Sequence, residues 1–259
     1  MKRRIVVALI SLCVAVLPVR AQEADSLGRC RDEQFRISQL IAPSILIGSG
    51  VAVTYNPWCE VNISLPIRDF VVDANLPSTW VDHVTACIPA AAHMGLNWMG
   101  VASAHTGKER FATLATATAI QMGVVRSLKH ALDVVRPDGS NDHSFPSNHS
   151  STAFMGAELV RIEYGPWWGL GAYSVATATA LMRVYNNKHW VGDILTGAGI
   201  GILSAQAAYW LLPLERKLFG WDSICLPGDH NSVLDQEPTV VLVPYAAPGA
   251  AGMAFSLTF

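Results

Sequence analysis

Charge is what this chain of 259 residues has least of: Asp, Glu, Lys and Arg make up 15% of it, where a soluble domain carries about a quarter. A net charge of −2 leaves no basic stripe to displace counterions, which excludes a nucleic-acid partner. Cysteine is scarce as well, five in all. Four of them (Cys30, Cys59, Cys87 and Cys225) lie beyond the first 21 residues, where three pairings are open to them, and so are free buried thiols. Internal repeats and low-complexity tracts are missing. The sequence is filled instead by an apolar set amounting to 51% with positive mean hydropathy. That is the composition of a membrane-embedded or unusually apolar helical protein.

Residues 1–21 read as a secretory signal peptide: Lys2-Arg3-Arg4, an apolar stretch from Ile5 to Leu17, and Val19 and Ala21 at the −3 and −1 positions of a cut before Gln22. An uncleaved anchor is the alternative. Leu12 before Cys13 is a poor fit to a lipoprotein cleavage site. Charge-free runs then occupy 37–59, 84–107, 111–125, 164–182 and 194–214. The last is long enough to cross a hydrocarbon layer as a helix, with Tyr209-Trp210 near its end and Trp167-Trp168 in the fourth run as interfacial aromatics. These runs are rich in Ala, Gly and Thr, so tightly packed soluble helices fit them too. Glu158 and Arg161 would have to face other helices if their segment crossed lipid. Basic residues at Lys108, Arg110, Arg216 and Lys217 favour the cytoplasmic side, which sends 129–149 and 183–193 to the periplasmic face. A full crossing by 37–59 after a cleaved leader would invert that arrangement.

The segments expected are a leader (1–21), an N-terminal segment (22–79), a helical domain (80–220) and a tail (221–259). In the tail a polar, turn-rich loop precedes an uncharged stretch in which Met253, Phe255, Leu257 and Phe259 alternate, the period of a strand or hairpin.

Three short motifs carry the chemistry. Lys129 and Arg136 are seven residues apart on one helical face, closed by Pro137. Pro146-Ser147-Asn148-His149 opens a helix, with Ser147 or Asn148 as the cap and free N–H groups that attract an anion. Arg183, His189 and Asp193 follow. His189 and Asp193 are one turn apart, so the carboxylate can accept from one ring nitrogen and leave the other to attack. Arg183 offers a fork matched to phosphate oxygens. Together these groups supply what phosphoryl transfer needs: fixed cations, a nucleophile and an acid for the leaving oxygen.

The three-part set resembles the signature of the type 2 phosphatidic acid phosphatase superfamily, which includes bacterial acid phosphatases and vanadium-dependent haloperoxidases. The resemblance covers about residues 80–214. It implies an all-α helical bundle of that kind, membrane-associated, with a short β-like tail. It implies His189 as the nucleophile forming a phosphohistidine, Asp193 as its orienting partner, and His149 as the general acid. Lys129, Arg136, Ser147, Asn148 and Arg183 would bind the phosphate. Asn148 stands where the family usually has Gly, and Met182 where it commonly has Ser. His130 and His143 match no family position, and His93 reads as a satisfied interior residue.

The expected activity is metal- and cofactor-independent hydrolysis of phosphate monoesters or diphosphates of a membrane lipid, by an exported protein whose site faces the periplasm. A soluble periplasmic acid phosphatase, a vanadate-dependent haloperoxidase and a non-enzymatic membrane scaffold are the competing readings. Neither the lipid headgroup nor the oligomeric state is legible. No carboxylate/His cluster with metal-ligand spacing stands out beyond the His189/Asp193 pair.

Overall fold

The computed structural model describes residues 35–74 and 77–221, and the backbone of 239–247 and 250–258. The leader, Cys30 and Cys225 lie outside the described residues. Two compact units emerge, and residues 31–222 fall in one of them. It is helical throughout: α1 (Ile37–Tyr55), a turn of α-helix (Pro57–Cys59) and a π-turn (Glu60–Ser64) leading into α2 (Leu65–Ala74), then α3 (Val81–Thr85), α4 (Ile88–Gly95), α5 (Gly107–Ala131), α6 (Asn148–Tyr164), α7 (Pro166–Tyr185) and α8 (Val191–Phe219). In the other unit, β1 (Thr239–Ala247) and β2 (Ala250–Thr258) pair antiparallel, Thr239 opposite Thr258 and Ala247 opposite Ala250. The alternating tail is therefore a hairpin, as its period implies.

Local chemistry sets the helix ends. Thr106 caps α5 reciprocally with Glu109, whose carboxylate accepts from the Thr106 amide at 2.9 Å. Gly165 (φ +86°) turns the chain between α6 and Pro166, the first residue of α7. Gly220 (φ +61°) ends α8 in the left-handed region.

Helix α8 is the axis of the body, and its glycines decide how near the neighbours come. A Cβ on Gly192 would stand 2.1 Å from Thr54 Oγ1, and one on Gly199 2.7 Å from the Pro43 carbonyl, both on α1. On the other face a Cβ on Gly197 would stand 2.5 Å from the Ser147 carbonyl and one on Gly201 2.2 Å from that of Ser151, at the start of α6. Backbones meet where hydrogens replace side chains, the mode by which apolar helices associate when water supplies no driving force.

These contacts also fix directions. Trp210 Nε1 donates to Gln39 at 3.1 Å near one end of the α1–α8 pair, while Thr54 meets Gly192 at the other, so the two helices are antiparallel. Ser147 and Ser151 meet Gly197 and Gly201 in order, so α6 runs parallel to α8. The loops 132–147 and 186–190 consequently lie at one end of the bundle.

The opposite end is closed by a buried polar network. Arg216 donates to Glu109 at 2.6 Å, the His105 ring meets Glu163 at 2.9 Å, and Tyr209 donates to Glu163 at 2.5 Å. Fully buried His93 meets the Arg110 carbonyl through Nε2 at 3.2 Å, in keeping with an interior role. Glu158 does face other helices: Tyr173 donates to it at 2.6 Å and Gln206 at 2.9 Å, beside Arg161. Cys59 and Cys87 are free thiols.

Among the described residues two helices, α1 and α8, are long and apolar enough to cross a membrane. They differ in surroundings: α8 is mostly enclosed, whereas α1 turns Ile37, Ile41 and Ile45, one turn apart, outward. Gly201→Ala is expected to lower thermal stability in detergent by about 1–3 kcal/mol, the scale of overpacking, and to reduce activity by displacing the first turns of α6 at Ser151. Gly48→Ala, with nothing within 4 Å of the added methyl, serves as the matched control and should leave both unchanged or slightly improved.

Candidate active site

The two loops at the α6/α8 end bring the sequence motifs together. The loop after α5 is tied to the loop before α8 by three bonds: Lys188 Nζ to Asp138 at 2.5 Å, Trp190 Nε1 to the Val135 carbonyl at 2.8 Å, and the Ser147 amide to the Asp193 carbonyl at 3.0 Å. Arg68 of α2 adds a fourth, donating to the Pro137 carbonyl at 3.1 Å.

Asp193, fully buried in the first turn of α8, is the hub. Its Oδ2 accepts from Ser144 Oγ at 2.5 Å and from the Trp190 amide at 2.9 Å, and stands 3.3 Å from His189 Nδ1. Turning Nδ1 to the carboxylate leaves Nε2 of His189 for chemistry. Burial pushes the His189 pKa down to about 4, Asp193 working against it and Arg183 with it. The ring is neutral at pH 7.

Arg183 is buried and ion-paired through Nη1 with Asp82 of α3. Burial disfavours the Asp82 charge, but the guanidinium outweighs that effect and holds its pKa below the ordinary value. The Nε atoms of Arg136 and Arg183 are buried without a hydrogen-bond partner among the described residues. Arg136 and Lys129 both have pKa values lowered by burial first and by neighbouring cations second, Lys129 to about 8. Such mutual repulsion among Lys129, Arg136 and Arg183 is the electrostatic mark of a site that an anion would relieve. Lys129 also secures the loop, donating to the carbonyls of His143 (2.7 Å) and Ser144 (3.2 Å).

Ser147 is fully buried, and its hydroxyl accepts from Ser150 Oγ at 3.1 Å while capping α6. With its amide on the Asp193 carbonyl and its hydroxyl oxygen accepting from Ser150, Ser147 builds the loop. Asn148 turns its side chain to Gln121, whose Nε2 donates at 3.1 Å. What these positions can offer an anion is the pair of amides at the helix start, those of Asn148 and His149.

His149 has Nε2 2.9 Å from Nδ1 of His83 on α3, the rings 4.6 Å apart and edge-on. Burial, then the charges of Arg183 and His83, push its pKa down to about 4. His189 is among the groups it feels, so the two histidines share one electrostatic site. His143 and His130 stack edge-on at 5.8 Å and make no contact with His189 or His149.

Three participants escaped the sequence reading. Ser144, two residues before Pro146, was hidden in a polar loop. Asp82 and His83 lie 101 and 66 residues from the groups they touch, and no spacing rule reaches that far. They also correct the expectation about metal ligands: Asp82, His83 and His149 bring ligand atoms within 4.8 Å of one another, as do the exposed Asp133, Asp142 and His143.

Comparison with known proteins bears on the same residues. Over 141 residues the chain is 36% identical to lipid A 1-phosphatase of Porphyromonas gingivalis, an alignment spanning 52% of this chain and 32% of that protein. Over 127 residues it is 32% identical to the putative undecaprenyl-diphosphatase YbjG of Escherichia coli K12, spanning 43% of this chain and 64% of that protein. The chain thus covers less than two thirds of either relative. A transmembrane PAP2-type phosphatidylglycerolphosphate phosphatase from Bacillus subtilis aligns with a TM-score of 0.45 and 20% identity over 70% of this chain and 96% of that one. Residues 110–217 match the family model of the PAP2 superfamily. All three motifs fall inside that match, which spans under half of the chain, and meet at one end of the bundle; through this segment the chain is similar to the PAP2 superfamily.

Proposed function

We propose that the chain is a metal-independent phosphatase that hydrolyses phosphate monoesters or diphosphates of a membrane lipid through a phosphohistidine. The observation that carries this reading is the gathering of Lys129, Arg136 and Arg183 around a neutral His189 whose Nδ1 is held by Asp193. In the first step Nε2 of His189 attacks phosphorus. The bond from phosphorus to the leaving oxygen breaks, and His149 gives that oxygen its proton. Asp193 stabilises the imidazolium so formed. In the second step water, deprotonated by His149, displaces His189 and releases phosphate. The cations and the amides of Asn148 and His149 hold the charge that grows on the equatorial oxygens. An empty site depresses the pKa of His149; a bound phosphate dianion acts in the opposite direction and loads the acid.

Lipid as the substrate class is supported by an apolar groove of about 590 Å³ between α1, α5 and α8, running from Trp210 past Ile200 to Phe145. Phe145 adjoins Ser144, which binds Asp193, so a tail in the groove leads to the site. The names of both curated relatives, lipid A 1-phosphatase and undecaprenyl-diphosphatase, point the same way.

For orientation, Arg36 and Gln39, Lys108, Arg110, Arg216 and Lys217 share the end away from His189, which favours that end in the cytoplasm and the site in the periplasm. Helix α1 then starts inside. A leader that crosses with Lys2-Arg3-Arg4 inside delivers residue 22 to the outside whether or not it is cut, so a periplasmic site requires that residues 1–21 do not carry the chain across or that it crosses again before α1.

His189→Ala is expected to abolish phosphate release from lipid phosphates without loss of folding; near-normal turnover in the purified variant would sink the mechanism. The kcat/KM profile should have an acid limb near pH 4, where His189 gains a proton. Asp193→Asn removes a charge that raises that pKa, so the limb should move to lower pH while kcat falls by about 10²–10⁴-fold. Ala207→Trp, in the groove wall, should raise KM for a long-chain substrate about tenfold, or ~1.4 kcal/mol, and leave a short soluble ester unaffected. In spheroplasts of a variant whose other cysteines are serine, Cys87 should react with a membrane-impermeant maleimide; labelling only after lysis would reverse the orientation.

A further inference from the structure

The His83–His149 contact places an exposed imidazole against the residue read above as the acid, and nothing in the phosphatase mechanism requires it. Two imidazole nitrogens 2.9 Å apart and a carboxylate within 4.8 Å of both form the donor set of a borderline transition cation, not of Mg²⁺ or Ca²⁺, which take oxygen. The 2.9 Å spacing is that of a hydrogen bond, which an ion would replace by drawing both nitrogens to about 2.0–2.1 Å from itself.

The carboxylate is suitably prepared. Asp82 is fully buried; its Oδ2 is engaged by Arg183, and its Oδ1 has no hydrogen-bond partner meeting ordinary geometry among the described residues. An entry path exists because His83 is exposed and His149 half-buried. The Arg183 guanidinium beside Asp82 opposes a dication, so the site favours a strongly bound cation such as Cu²⁺ over weaker ones.

We propose that His83, His149 and Asp82 form an inhibitory site for Cu²⁺ or a cation of like preference, which binds through the two imidazoles and takes His149 out of proton transfer. The inhibitory part rests on the phosphatase reading; the binding part does not. No bond to the substrate changes: the ion occupies the Nε2 lone pair of His149, so the leaving oxygen has no proton donor and stays bonded to phosphorus.

The experiment uses the full chain in detergent with Cu²⁺ as the probe, in a His143→Ala background so that the exposed Asp133/Asp142/His143 group adds no ring nitrogen. Electron paramagnetic resonance of the copper complex should show two nitrogen ligands. In the further variant His83→Ala it should show one fewer, with affinity reduced at least about tenfold, the loss caused even by removing an outer-shell partner. Inhibition by Cu²⁺, measured against each protein's own copper-free rate, should weaken by the same factor. An unchanged spectrum and affinity in His83→Ala would overturn the site. Equal copper inhibition of both proteins would overturn the inhibitory role while leaving the phosphatase reading intact. A two-nitrogen spectrum that depends on His83, in a protein that releases no phosphate even without copper, would support the site and defeat the phosphatase reading.

Discussion

One buried carboxylate organises the functional end of this molecule. Asp193 gathers a hydroxyl from the loop after α5, an amide from the loop before α8 and the ring of His189, while its own carbonyl anchors Ser147. A charge removed from water needs partners for its lone pairs; those of Oδ2 come from segments the chain supplies separately, while Oδ1 is buried without a hydrogen-bond partner among the described residues. The geometry of His189 and the geometry of the loop that ends at Ser147 are thereby the same constraint. Electrostatics then divides the histidines from the cations. Burial keeps both rings neutral in the empty site, whereas burial and then the charge of Arg183 lower the pKa of Arg136.

The bundle makes that constraint durable through absence of side chains. Gly192 and Gly199 admit α1, and Gly197 and Gly201 admit α6, so α8 is clasped by backbone on two sides. Ser147 is pinned from both directions, by the Asp193 carbonyl and by the hydrogen of Gly197. This explains why the apolar runs are rich in Ala, Gly and Thr: contact distance matters more to them than apolar area. It also separates their roles. Helix α8 is enclosed, while α1 clasps it on one face and turns isoleucines outward on the other.

Much of this was legible in the sequence. The order and spacing of Lys129/Arg136, Ser147/His149 and Arg183/His189/Asp193 pointed to residues that meet at one end of the bundle, because periodicity places neighbours within a helix and short motifs survive translation into space. The alternating tail announced a hairpin. What could not be read was any pairing across long separation. Asp82 has no local pattern, sitting in a five-residue helix, yet it is the counter-ion of Arg183. The duties of Ser147, Asn148 and Lys129 were also finer than their motif suggested. Lys129 spends two donors on loop carbonyls, and Ser147 is part of the frame. The direction of α1 was illegible too, since only the Gln39–Trp210 and Thr54–Gly192 meetings define it.

The ion pair between Asp82 and Arg183 bears on what the smallest autonomous fold can be. Residues 110–217 contain every motif, but a protein cut to that length would leave Arg183 inside the bundle with its charge uncompensated, and α8 without the helix that covers Gly192 and Gly199. An excised fragment would thus carry a complete signature and an incomplete interior. In this chain the boundary of the chemistry, drawn by the carboxylate of α3 and the clasp of α1, begins well upstream of the boundary of the motif.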